Sequence, residues 1–194
     1  TKIEGNKLVL RAKTNEEGKY LEMSYSLADN YNVDFELEFI GLEDIVDEGL
    51  MFNWEMKSLL TEKEYEGQSR MSSVFYKPKD DGRTYLYETT EQTEPVESTL
   101  DWVAFKHCYF SSAVISKEGF KKGGEVYSKP VKAGKYSDEY RADLNLSTKI
   151  DDRTSVPLTF FFGPNDYDIL AAQGNEMEDI IDLGWGIFRW TAKW

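Results

Sequence analysis

In Val33-Asp34-Phe35-Glu36-Leu37-Glu38-Phe39 every second residue is apolar and every residue between is acidic. Side chains of a strand point alternately to its two faces, so this segment predicts an antiparallel strand with one buried and one wet face. Leu21, Met23, Tyr25 and Leu27 alternate with Glu22, Ser24 and Ser26, and Tyr140, Ala142, Leu144 and Leu146 with Arg141, Asp143, Asn145 and Ser147. Leu8, Leu10 and Ala12 form a weaker match. Two Tyr-rich runs between Val74 and Tyr87 flank Pro78-Lys79-Asp80-Asp81-Gly82. Asp-Gly accepts the positive φ of tight turns, so a β-hairpin is predicted there. Trp102 to Ile115 is a long run of strand formers, read as one bent strand or two pieces joined by a bulge near Ser111-Ser112. Val156 to Phe162 is nearly all apolar, which predicts a strand covered on both faces and ended by Gly163-Pro164.

After Pro164 the period becomes helical. Asn165 or Asp166 is placed to cap a short helix through about Ala172, Gly174-Asn175 breaks it, and Asn175 is placed to cap a second one. Ile180, Leu183, Ile187, Trp190 and Trp194 then recur at three- and four-residue spacing, with Gly184 and Gly186 as plausible breaks. The pattern predicts a mainly β protein: an antiparallel β-sandwich over residues 1–163, followed by short C-terminal helices over 164–194.

Composition narrows the function classes. At 194 residues, 40% of them hydrophobic and 14% aromatic, the chain is long enough for one well-buried domain, and disorder throughout is excluded. With 36 acidic and 23 basic side chains the net charge is −13, which repels phosphate backbones, so no nucleic-acid partner is expected. The densest basic stretch, Lys117 to Lys135, is diluted by Glu118, Glu125 and glycines. One cysteine, Cys108, excludes an intrachain disulfide and fixes no compartment. No apolar run is long enough to span a bilayer, and the chain opens without Met, as expected of a segment cut from a longer protein.

No catalytic, metal-ligating or cofactor-binding residue is expected. His107, the only histidine, lacks the spaced partners of a metal site or a triad and is read as structural. Cys108 is read as a buried small hydrophobe in an apolar strand. Phosphate loops, Gly-x-Ser-x-Gly elbows and Cys-x-x-Cys pairs are absent from the sequence. The acidic runs Glu43-Asp44, Asp47-Glu48 and Glu91 to Glu97 are read as solvated loops. The last segment is different: Trp185, Ile187, Phe188, Arg189, Trp190, Lys193 and Trp194 combine aromatics with two cations, the composition of a bilayer interface. They are expected to seat at a membrane surface, the alternative being a terminal helix folded back on the sandwich.

Three stretches resemble one family in order and spacing. Trp102-Val103-Ala104-Phe105-Lys106-His107-Cys108-Tyr109-Phe110 resembles the Trp-Val-Ala start, followed by an aromatic pair, of the extracytoplasmic domain of YidC membrane protein insertases. Phe162-Gly163-Pro164-Asn165 is similar to the Gly-Pro step closing that family's last long strand. Asp182-Leu183-Gly184-Trp185-Gly186-Ile187-Phe188 is similar to the segment leading to its amphipathic helix. Trp102, Val103, Ala104, Phe110, Gly163, Pro164, Gly184 and Trp185 therefore read as structural motif residues, while His107 departs from the polar amide usual at its position.

The resemblance implies a β-supersandwich with a galactose-mutarotase-like outline, held at the bacterial inner membrane and facing the periplasm. It implies a protein that inserts and helps fold membrane proteins, alone or with the Sec translocon, so Sec subunits and nascent membrane proteins are the expected partners. The family's functional arginine sits among membrane helices outside this sequence, so this domain is expected to dock and scaffold rather than insert. Family domains begin with strands not found here, so about the first third of the sandwich is expected to be missing. The mutarotase-like outline also carries an alternative, a sugar-binding or sugar-active sandwich using Tyr85, Tyr87 or Trp54 as stacking surfaces. Such enzymes use histidine plus glutamate, and one histidine matches that poorly.

Overall fold

A computed structural model describes residues 1–46, 49–131 and 134–182. The alternating segments form antiparallel strands: β1 (Lys2–Glu4), β2 (Lys7–Lys13), β3 (Tyr20–Leu27) and β4 (Asn32–Ile40). They are followed by β5 (Met51–Leu59), a helical turn α1 (Tyr65–Ser69), β6 (Ser73–Pro78), β7 (Thr84–Tyr85) and β8 (Gln92–Pro95). β9 (Leu100–Lys106), β10 (Phe110–Pro130), β11 (Tyr136–Asn145) and β12 (Arg153–Pro164) complete the strands. The helical turn α2 (Tyr167–Ala171) and a 3-10 turn, Met177–Ile180, follow.

The larger sheet runs β1-β2-β3-β4-β12-β10-β9-β6-β7, and the smaller one runs β5-β11-β10-β8. β10 belongs to both. Its first half, Phe110–Ser116, pairs with β9 and β12, and its second half, Glu125–Pro130, pairs with β11 and β8. The corner between the halves is made by backbone that only glycine accepts. Gly124 has φ +90°, and a Cβ there would stand 2.0 Å from the carbonyl oxygen of Asp143.

The inner faces of the two sheets enclose the main core, with Phe35, Phe39, Val103, Phe105, Tyr140 and Leu144 among its buried side chains. A second core lies on the outer face of the larger sheet. There Leu170, Met177 and Ile180, from the C-terminal turns, cover Phe75, Trp102 and Phe161. β9 and β12 are thus buried on both faces in their middle, which explains why neither shows clean alternation.

Several expectations are corrected. Trp102 to Ile115 is not one bent or bulged strand. It is the β9–β10 hairpin, turning at His107-Cys108-Tyr109. Cys108 is buried as expected, but in that turn rather than in a strand. Asp166 caps α2 as predicted, accepting from the backbone N–H groups of Asp168 and Ile169 at 3.1 Å. The second helical segment is a single 3-10 turn entered through Glu176 in the left-handed region (φ 58°), with no side-chain cap from Asn175.

Candidate functional site

β5 is the edge of the smaller sheet farthest from the β10 corner, paired with β11 along one side only. Its inward residues Phe52 and Trp54 reach across to the larger sheet. Trp54 stacks on Phe105 with centroids 4.1 Å apart and meets Phe160 edge-on at 6.5 Å, while Phe52 lies 6.0 Å from Phe160. Beyond them β12 runs past the cover of the smaller sheet. Phe160 and Phe162 share a face, their rings near-parallel (10°) and 6.1 Å apart, and Phe162 is 51% exposed. On the neighbouring strand Phe110, 60% exposed, flanks Phe162 across Ser112. Leu27, exposed on β3, continues the rim. The sandwich is therefore open at one end, where a free strand edge borders a half-exposed aromatic row. Such an arrangement accepts an extended apolar segment: backbone groups pair with the edge and side chains settle on the rings.

The C-terminal end of β5 is pinned. Its last carbonyl, on Leu59, accepts Nε2 of His107 at 3.1 Å and Nε2 of Gln68 at 2.8 Å. Buried Gln68 also donates to Ser137 Oγ at 2.7 Å, and its Oε1 accepts the backbone N–H groups of Thr61 and Glu62. His107 therefore has a structural task, consistent with its reading from the sequence.

Titratable groups gather below this point, out of reach of solvent. Asp138 is 1% exposed. Ser137 and Tyr140 flank its carboxyl and favour the charged form, yet neither oxygen reaches a donor in hydrogen-bonding geometry. Burial outweighs them and raises the Asp138 pKa. Burial, then the nearby Asp138 charge, pushes the Tyr140 hydroxyl well above the usual phenol range. Burial raises the Cys108 thiol as well, which suppresses the nucleophilic thiolate. Among the described residues no group of three or more His, Cys, Asp or Glu is arranged for a metal ion.

Two of the sequence motifs meet in space. Trp102 is fully buried under the C-terminal turns, its Nε1 donating to the Asn175 carbonyl at 2.9 Å. Ala104 shares that outer face, Val103 faces the inner core, and Phe110 stands at the open end. Gly163 is required by packing: a Cβ would stand 2.5 Å from Cζ of Phe161. Pro164 is the last residue of β12 and pairs with Phe110. Asn165 ties the motifs together, donating through Nδ2 to the carbonyls of His107 (2.8 Å) and Cys108 (3.2 Å) and accepting from Ser111 Oγ (2.6 Å). Gly184, Trp185, Ile187, Phe188, Arg189, Trp190, Lys193 and Trp194 lie outside the described residues. Of the aromatics weighed for sugar stacking, Trp54 has a face occupied by Phe105, and Tyr85 and Tyr87 meet edge-to-face at 80° rather than as a flat platform. The strand β5 escaped the sequence reading, which weighed Trp54 only as a stacking surface, although Phe52, Trp54 and Met56 alternate with Asn53, Glu55 and Lys57.

Fold and site together define a two-sheet antiparallel scaffold with an open apolar end. The family model of the YidC periplasmic domain matches residues 2–194, and the chain belongs to that family. Among curated relatives, the membrane protein insertase YidC of Phocaeicola vulgatus is 29% identical over 206 residues, covering 100% of this chain and 33% of the relative. The insertase YidC of Parabacteroides distasonis is 27% identical, covering 97% of this chain and 31% of the relative. That of Cytophaga hutchinsonii is 26% identical, covering 97% and 33%. The chain thus spans about a third of the length of these relatives.

Proposed function

We propose that this chain is the periplasm-facing domain of a bacterial inner-membrane insertase, and that it holds apolar segments of membrane proteins before or during their insertion. It works without covalent chemistry, by docking and spacing, beside Sec translocon subunits where these take part. The observation that carries this reading is the half-exposed row of Phe160, Phe162 and Phe110 beside the free edge of β5. Covering the exposed half of one such ring contributes on the order of 2–3 kcal/mol of gross apolar burial. After the entropy lost on association, a few rings hold a segment transiently and release it. Residues 1–163 form the sandwich in this reading, and 164–194 lead to the membrane, with Trp185, Ile187, Phe188, Arg189, Trp190, Lys193 and Trp194 at the bilayer surface.

Site-specific photocrosslinking in the intact insertase tests the docking role. A photoreactive residue replacing Phe162 is expected to capture a stalled nascent membrane protein, whereas one replacing Tyr127, on the outer face of the smaller sheet, captures little. Equal yields at the two positions would refute a docking site at the open end.

A further inference from the structure

On the outer face of the larger sheet, beside the point where the described chain ends, lies a second aromatic surface. Phe75 stacks with Tyr85 at 5.4 Å, and Tyr85 meets Tyr87 edge-on at 6.2 Å. Tyr85 is 40% and Tyr87 63% exposed. Two cations lie over these rings. The Arg83 guanidinium is 5.2 Å from the Phe75 centroid and 5.4 Å from that of Tyr85, and the Lys106 ammonium is 5.3 Å from Phe75. Neither cation forms a salt bridge among the described residues, although the protein carries a net charge of −13. Burial and the nearby Arg83 charge both lower the Lys106 pKa, and the carboxylates of Glu88 and Asp182 only partly oppose this. Among the described residues no carboxylate stands within salt-bridge distance of either cation, and Glu88 and Asp182 act on Lys106 only from farther away.

The course of the chain indicates which anion. Ile180 belongs to the same outer cluster as Phe75, Ile181 packs against that cluster, and Asp182 lies within electrostatic reach of Lys106. The described chain therefore ends at this surface, and the sequence that follows includes Trp185, Phe188, Trp190 and Trp194. Tyrosine and arginine on the body thus lie near the last described residue, and the sequence after it has a composition that suits a bilayer interface. We propose that Arg83, Tyr85, Tyr87 and Lys106 form a membrane-docking surface of the sandwich itself, the cations meeting phospholipid phosphates and the tyrosine rings lying at headgroup depth. This rests on the membrane-proximal placement proposed above. It adds to the expectation that the tail seats at a membrane surface: the acidic body is held off the bilayer everywhere except at this patch.

Co-sedimentation of the 194-residue chain with vesicles of phosphatidylethanolamine and phosphatidylglycerol (3:1) tests the proposal. Arg83→Gln alone is expected to lower partitioning about fivefold, as for one cation near an anionic surface. Adding Tyr85→Ser and Tyr87→Ser lowers it further, also when Trp185, Trp190 and Trp194 are already replaced by Ser. A fluorophore on Tyr87→Cys, in a Cys108→Ala background, is expected to be quenched by headgroup spin-labelled lipid, and one on Thr93→Cys, on the opposite sheet, to be spared. Binding that survives the patch substitutions and is abolished by the tail substitutions alone would overturn this inference and leave membrane proximity standing. A chain that binds vesicles in no form would overturn both. Neither outcome decides whether the open end captures apolar segments, which crosslinking at Phe162 reads by itself.

Discussion

Asp138→Asn tests the energetics of the buried cluster. Asp138 sits on β11 facing the interior, 1% exposed, with no donor in hydrogen-bonding geometry at either oxygen. Burial raises its pKa in the folded protein above the unfolded value of about 3.9. A group whose folded pKa is raised stabilises the fold in its protonated form. That contribution is complete below the unfolded value and is lost as pH rises through the folded value. Above that window the native state carries an ionised, unsatisfied carboxylate. Asparagine has the same shape and no charge.

The cost of a buried unsatisfied polar group is about 1–3 kcal/mol, so the Asn variant should be more stable than the parent by that amount at pH 7–8. For a domain of this size the gain corresponds to a Tm higher by roughly 2–12 °C. The advantage should shrink as pH falls through the raised folded-state pKa of Asp138, where the group takes up its proton and resembles an amide electrostatically. Urea denaturation followed by Trp fluorescence between pH 4 and 8 gives the difference curve, in which titration of all other carboxylates cancels. A difference that does not change with pH, or an Asn variant less stable than the parent at pH 8, would refute the reading of Asp138 as a buried acid under desolvation strain.

Two further substitutions test the outer core. Trp102→Ala removes the centre of the layer beneath the C-terminal turns and its bond to the Asn175 carbonyl. It is expected to cost about 3–5 kcal/mol in urea denaturation and to speed limited proteolysis between residues 172 and 182. Gly163→Ala forces a methyl group against the Phe161 ring and should cost about 1–3 kcal/mol, measured the same way; an unchanged midpoint would mean that the ring moves aside freely.

Where only one face of a strand is covered, the sequence pattern was sufficient. β3, β4 and β11 alternate because one face meets the core and the other water. The hairpin at β6–β7 was legible from its Asp-Gly turn, and α2 from Asp166. The β9–β10 hairpin was not, for two physical reasons. Both faces of its middle are buried, so alternation disappears, and its turn, His107-Cys108-Tyr109, contains none of the residues that usually announce one. Asn165 supplies what that turn lacks, from 57 and 58 residues away, and local sequence carries no sign of it. The same holds for the candidate sites. Phe162 reads as one more core residue until the extent of the smaller sheet is known, and Asp138 reads as a surface residue until its depth is known. The described residues of the family motifs lie at packing joints: Trp102 under the turns, Gly163 against Phe161, and Phe110 opposite Pro164.

The two proposed surfaces lie at the same end of the larger sheet, on opposite faces. Lys106, on the outer face, pairs with Ser111, whose neighbour Phe110 stands at the open end of the sandwich. Adjacent strands are separated by about 5 Å, so the docking patch and the mouth are about one strand and one residue apart. With Arg83, Tyr85, Tyr87 and Lys106 resting on lipid, the mouth opens close to the bilayer rather than into the bulk periplasm. An apolar segment leaving the mouth would then have the membrane as its nearest apolar surroundings, and one leaving the membrane would meet Phe162 and Phe110 first. The geometry also links the two tests. Substitutions at Arg83, Tyr85 and Tyr87 should lower crosslinking at Phe162 in the intact protein without touching the residues that bind the segment. Crosslinking unchanged by a patch that had lost its lipid affinity would show that the mouth receives its segments independently of how the sandwich sits on the membrane.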